Sequence, residues 1–336
     1  MELIIDTNFT KLLPKGGIEA ESNNFSDFCR FLKGTTDMTV ITNHNNYEEF
    51  VQQIKEDPIL ELLINNGPVP VITDPTFATE INNSSYYQSG SPFKLFLITF
   101  DNAKCETLCK RFGYEFISPE NFEKKWNVYS GERQDSKRKV TNNAKLNPQQ
   151  RFDSWNSLQE FAHPVNSILI NDSYILIDQP NQTIRDNLSK LLMELSQRGP
   201  KSVPLEIIIC SDPPAKFQVN FKQKHAKITA ELDLLLGKDN YKLNLIKYSS
   251  HSRFILTNYF LIRCENSFNF FRQDGHLMSD NPRIEFLFVF SPKERQLVLD
   301  DLRELKVRVS KLENSSEDAA FEIVNYFPGK GNRLLN

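Results

Sequence analysis

Apolar and polar residues alternate along this chain in two dense stretches separated by one polar segment. In the first stretch, "LIIDT" (3–7), "MTVIT" (38–42), "VPVIT" (69–73) and "KLFLITF" (94–100) are short apolar runs that read as buried strands. Between them lie amphipathic segments. "NFSDFCRFLKG" (24–34) puts Phe25, Phe28, Cys29 and Phe31 near one helical face, "NYEEFVQQIKEDPILELLINNG" (46–67) is helical with a break near Pro58, and "NAKCETLCKRFG" (102–113) is a helix closed by glycine. "YEFI" (114–117) and "SPENFEKKW" (118–126) add a strand and a helix, with Ser118 as N-cap and Pro119 at the first helical position. Strand–helix alternation of this kind predicts a largely parallel sheet in an α/β unit over 1–128.

The second stretch, 161–336, repeats the theme. "SILIND" (167–172), "YILID" (174–178), "LEIIIC" (205–210), "LNLIKY" (243–248), "RFILTN" (253–258), "YFLIRC" (259–264) and "RIEFLFVF" (283–290) read as strands. Residues 182–199, 224–237 and 291–312 read as amphipathic helices. The pattern therefore predicts an α/β protein of two domains, 1–128 and 161–336. The region between them, 129–160, holds almost no apolar residues from 130 to 151. Six basic side chains there, Lys137, Arg138 and Lys139 among them, stand against Glu132 and Asp135, a balance of +4. It reads as a solvated linker, or as a basic strap for the phosphate backbone of RNA or DNA.

Composition narrows the picture further. The 336 residues carry a net charge of −3, so any pull toward nucleic acid is local. The five cysteines are odd in number and form no CxxC pair. They read as reduced thiols of a cytoplasmic protein. The N-terminus has no signal-peptide pattern, and no apolar run reaches the ~18 residues of a membrane span.

Three apolar runs of the first stretch lead into acids: Asp6 after "LII", Glu48 and Glu49 at the start of the helix after "TVIT", and Asp101 after "LFLITF". In open α/β sheets, ligands bind at the carboxyl ends of the strands, and clustered carboxylates suit Mg²⁺ or Mn²⁺. This order of acids, followed by "CETLCKRFGYEFISPENF", resembles the PIN nuclease family over residues 1–126. The resemblance implies a metal-dependent ribonuclease with Asp6, Glu49 (or Glu48) and Asp101 as catalytic metal ligands. The further acid that the family carries before the "ITFD"-like strand has no clear counterpart in "EINNSSYYQSGSPF"; Asp74 is a candidate substitute.

In the second stretch, "HSRFILTNYFLIRCENSFN" (251–269) places His251, Arg253, Asn258 and Asn269 on the spacing of the phospholipase D signature, with Arg253 where that family has Lys and Asn258 where it has Asp. "HAKITAELD" (225–233), the other approximate match, lies on a helical pattern and has its Asp one residue late. The segment and element order of 160–312 resemble the phospholipase D-like C-terminal domain of MIT-domain proteins. That resemblance implies a domain that binds phosphate without hydrolysis, with His251, Arg253, Asn258 and Asn269 as its anion site. Two kinds of protein then follow. One is a ribonuclease controlled by a sensor domain, a pairing that suits microbial toxins or antiphage defence. The other is a binding or scaffold protein whose two catalytic folds are both degenerate. A protein partner suits either, and a homodimer would bring two of the 251–269 motifs together.

Overall fold

The structure is a computed structural model that describes residues 1–6, 8–12, 28, 39–57, 61, 70–76, 81, 83, 87, 91–129, 137–161, 163–178, 184–196, 202–248, 252–278, 282–290, 292–314, 323–324 and 332–335. It is a mixed α/β protein with one parallel sheet and one mixed sheet. The first sheet contains β1 (Glu2–Ile5), β2 (Thr39–Thr42), β3 (Val71–Thr73), β4 (Lys94–Leu97) and β5 (Glu115–Ile117), all parallel, in the order β3-β2-β1-β4-β5. Chain order reverses between β1 and β4, the switch point where open sheets form a crevice.

Period-two alternation divides this sheet between two apolar clusters. Leu3, Ile5, Leu95 and Leu97 face one cluster, while Ile4, Phe96 and Ile98 face the other with Cys105, Leu108 and Phe112 of the Asn102–Phe112 helix. That helix is capped by the Asp101 side chain and ends at Gly113, whose φ of 67° suits glycine.

The second sheet has nine strands among the described residues. They are β6 (Lys137–Val140), β7 (Arg151–Phe152), β8 (Ser167–Asn171), β9 (Leu205–Ser211), β10 (Tyr241–Lys247), β11 (Arg253–Thr257), β12 (Phe260–Cys264), β13 (Arg283–Phe288) and β14 (Ile323–Val324), ordered β14-β10-β9-β8-β11-β12-β13-β6-β7. β8, β9 and β10 are parallel, and β11 returns antiparallel beside β8. The Phe221–Leu236 helix starts at an Asn220 cap and closes at Gly237; Pro292–Asn314 is the long last helix.

Three elements differ from the sequence expectation. Residues 174–178 form no strand but a turn at 173–176 and irregular chain after it, because the Asp172 carboxylate accepts the Tyr174 N–H at 2.9 Å and bends the chain directly after β8. Ile175, Leu176 and Ile177 are buried all the same. The polar segment is not a free linker over its described part: β6 pairs antiparallel with β13, and β7 pairs parallel with β6. Val140, Phe152, Trp155 and Leu158 anchor it in the core, and Arg138 is buried beside the Phe286 ring. Finally, the halves share a core. Leu3, Ile5, Leu95 and Leu97 belong to the same contiguous cluster as Ile168, Ile207, Ile255 and Phe288.

Polar bonds reinforce this junction. Asn258 Nδ2 donates to the Gly113 carbonyl at 2.9 Å, Asn166 Nδ2 donates to the Phe112 carbonyl at 3.2 Å, and the Asn166 N–H donates to Asn258 Oδ1 at 3.2 Å. All are buried, where an unmade bond would cost about 1–3 kcal/mol.

Candidate functional site

On the carboxyl side of the parallel sheet Asp6 directly follows β1, Glu49 lies in the helix Tyr47–Ile54 that follows β2, and Asp101 caps the helix that follows β4; β2, β1 and β4 are neighbouring strands. The Asp6 N–H donates to the Leu97 carbonyl at 2.9 Å, which ties the ends of β1 and β4 together. Each carboxylate, however, closes its own turn. Asp6 accepts the Asn8 N–H at 3.0 Å and the Thr99 hydroxyl at 2.6 Å. Glu49 Oε2 accepts the Asn45 N–H at 3.0 Å and Asn45 Nδ2 at 2.8 Å, and these bonds hold its carboxyl below the usual carboxylate range. Asp101 accepts the Lys104 N–H at 2.8 Å as a helix cap. Asp74, after β3, accepts the Thr76 N–H and hydroxyl. Among the described residues, no three His, Cys, Asp or Glu stand where they could hold a metal ion. As arranged, these acids do not form the oxygen cluster that Mg²⁺ or Mn²⁺ takes.

The second group lies where β8, β9 and β10 end and β11 begins. Arg253, the first residue of β11, is half-buried. Its Nη1 donates to the Glu265 carbonyl at 3.2 Å, and its guanidinium carbon is 5.7 Å from the centre of the Tyr174 ring. Its Nε is buried without a protein acceptor, and among the described residues no carboxylate lies within ion-pair distance of it. Asp172 is close enough to sense that charge, but its oxygens are taken by the Tyr174 N–H (2.9 Å), the Ser267 hydroxyl (2.7 Å) and the Phe268 N–H (2.7 Å). Burial pushes the Asp172 carboxyl up, against the pull of those donors and of Arg253. Asn269 joins the group by donating to the Tyr174 carbonyl at 2.6 Å.

Asn258 does not belong to this group. The five-residue strand β11 carries it about 17 Å from Arg253, to the junction with the first half, where it is fully buried. His251 lies outside the described residues. Asp172, Tyr174 and Ser267 were not among the sequence candidates. The signal for Asp172 was available, since "SILIND" repeats the apolar-run-then-Asp pattern of "LIID".

Of the basic strap, Lys137 and Lys139 are exposed on β6 and Arg138 points into the core. The four described cysteines are buried and free. Burial pushes the Cys105 and Cys264 thiols up to about 12 and raises those of Cys109 and Cys210 as well. No described helix is long and apolar enough to cross a membrane. No protein-family model matches the chain, and no curated protein matches it.

Proposed function

We infer that this is a binding protein whose nine-stranded half holds a phosphate-bearing ligand at Arg253 without turning it over, with the parallel-sheet half as its attached scaffold. The observation that supports this reading is the state of Arg253: a half-buried guanidinium at the carboxyl ends of β8, β9 and β10, with a buried Nε that lacks a protein acceptor. A guanidinium stays charged at any ordinary pH and binds phosphate through two parallel N–H donors. No turnover is expected, because position 258, which holds a carboxylate in the resembled motif, is an asparagine at the far end of β11 whose amide donates to the Gly113 carbonyl, so it brings no carboxylate to Arg253. The test is calorimetric titration with inorganic phosphate and with pyrophosphate. The reading expects saturable binding that Arg253→Ala abolishes. Equal binding by Arg253→Ala would overturn it.

A second reading is a Mg²⁺- or Mn²⁺-dependent ribonuclease, and one observation favours it. Asp6 follows β1 beside the switch between β1 and β4, and Asp101 caps the helix that follows β4. It requires Glu49 to leave Asn45. Its check is cleavage of RNA with Mn²⁺, set against EDTA and Asp6→Asn; no difference among the three removes it.

A further inference from the structure

The outer strands of the large sheet carry a row of basic side chains that neither reading above uses. Arg283 on β13 is the register partner of Lys139 on β6, and Lys139 is the register partner of Arg151 on β7. Register partners on adjacent strands point to the same face, so three cations stand side by side, about 4.8 Å apart from strand to strand. Burial agrees with this geometry. Lys139 and Arg283 are exposed and Arg151 is half-buried, while Arg138, Val140, Phe152 and Ile284 on the other face are buried. Like charges directly opposite each other repel. Arg151 is partly compensated by Asp153 at 2.9 Å, but among the described residues Lys139 and Arg283 have no ion-pair partner.

The neighbouring row on the same face is different. There Glu285 is the register partner of both Lys137 on β6 and Arg263 on β12; it pairs with Lys137 at 3.2 Å, and Arg263 stands close enough to Asp301 of the last helix for the two charges to interact, so the charges of that row are balanced. The face thus presents one straight row of three cations, about 10 Å long across three strands, in which Lys139 and Arg283 have no ion-pair partner among the described residues, on a protein whose net charge is −3. A line of this kind suits one polyanionic backbone. A duplex offers two backbones on either side of a groove about 6 or 12 Å wide, and the neutral row provides nothing for the second. An anionic membrane is held by a broad cluster of basic residues, which one row does not supply.

We propose that the Arg283–Lys139–Arg151 row is a binding platform for the phosphodiester backbone of a single-stranded nucleic acid. It contacts phosphates and not base edges, so it is indifferent to sequence. Three phosphate contacts on a single strand give a log–log salt slope of about −2. Loss of one contact reduces the slope by about 0.7.

The experiment is fluorescence anisotropy of the full chain with labelled 12-nucleotide single-stranded RNA and DNA, the matching duplex, and vesicles containing phosphatidylserine, over a series of salt concentrations. Binding of both single strands is expected, with weaker binding of duplex and vesicles; a preference between RNA and DNA would identify which strand is the natural source. Lys139→Gln should lower the slope by about one contact, and Lys139→Glu should weaken binding at least tenfold at low salt. The paired change Lys137→Gln with Glu285→Gln removes a neutral pair and should leave the slope unchanged. Lys139 is exposed on an outer strand, and removing it relieves repulsion, so Lys139→Gln should melt no lower than the parent. The proposal is overturned if no oligonucleotide binds at low salt, in which case the charges only guard a sheet edge. It is equally overturned if Lys139→Glu binds as the parent does, or if the duplex or the vesicles bind more tightly than single strands.

Discussion

Tyr259 holds its phenolic oxygen 2.6 Å from the Glu115 N–H and, on its other side, donates to the Lys94 carbonyl at 2.6 Å. Tyr259 belongs to the turn between β11 and β12, while Lys94 and Glu115 belong to neighbouring strands of the parallel sheet. One hydroxyl therefore joins the two halves inside a shared core. Tyr259→Phe keeps the ring and removes both bonds. The expected loss is about 1–3 kcal/mol, read by urea unfolding as a single transition at a lower midpoint. A change below about 0.5 kcal/mol would show that the hydroxyl contributes little to the junction.

Gly113 ends the Asn102–Phe112 helix at φ 67°, and a Cβ built there would lie 2.7 Å from the Asn166 Cβ and 2.8 Å from the Val165 carbonyl oxygen. Gly113→Ala thus meets a left-handed backbone cost of about 1–2 kcal/mol together with an overpacking cost of about 1–3 kcal/mol. Thermal or denaturant melting should register a loss of at least about 2 kcal/mol. A neutral result would mean that Asn166 and the helix end can separate freely.

Asp178 pairs with Lys224 at 3.3 Å and with Lys227. Burial disfavours its charge, but the hydrogen bonds and charges of Lys227 and Lys224 outweigh that and hold the carboxyl below its ordinary value. The sign follows from linkage. The contribution is complete above the unfolded value of about 3.9 and is lost as pH falls through the lowered folded value. Asp178→Asn should therefore reduce stability at pH 7, by up to about 1 kcal/mol for so exposed a pair, and make no difference well below pH 3. A deficit that persists unchanged at low pH would assign the effect to packing.

The buried thiols make a chemical prediction. At pH 8 the native protein should react slowly with an alkylating reagent at Cys105, Cys109, Cys210 and Cys264, since burial pushes the Cys105 and Cys264 thiols up to about 12 and all four are shielded. Peptide mapping by mass spectrometry should show rapid labelling of the four only in denaturant. Fast native labelling of Cys264 would place it at an opening that its burial does not provide.

The sequence made the strand inventory of the parallel sheet legible because each strand is an apolar run flanked by a helical period, and the acids at the strand ends were legible for the same reason. What those acids do was not legible. Whether Glu49 faces a neighbour or its own Asn45 depends on a turn conformation that no spacing reveals. The pattern around Arg253 was visible two residues at a time, since alternate strand residues share a face. Asn258 was misassigned because its distance along β11 outweighed its place in the motif. β6 and β7 were hidden by composition: with Val140 and Phe152 as their only apolar side chains, they gain their burial from partners far away in the chain.

The central claim is that Arg253 holds a phosphate group and leaves it intact. ³¹P NMR of the protein with a small phosphodiester and Mn²⁺-free buffer reads both parts at once. The account expects the phosphodiester resonance to broaden with the native chain, to stay sharp with Arg253→Ala, and to give way to no product resonance over a day. A product signal, or equal broadening by Arg253→Ala, would contradict it.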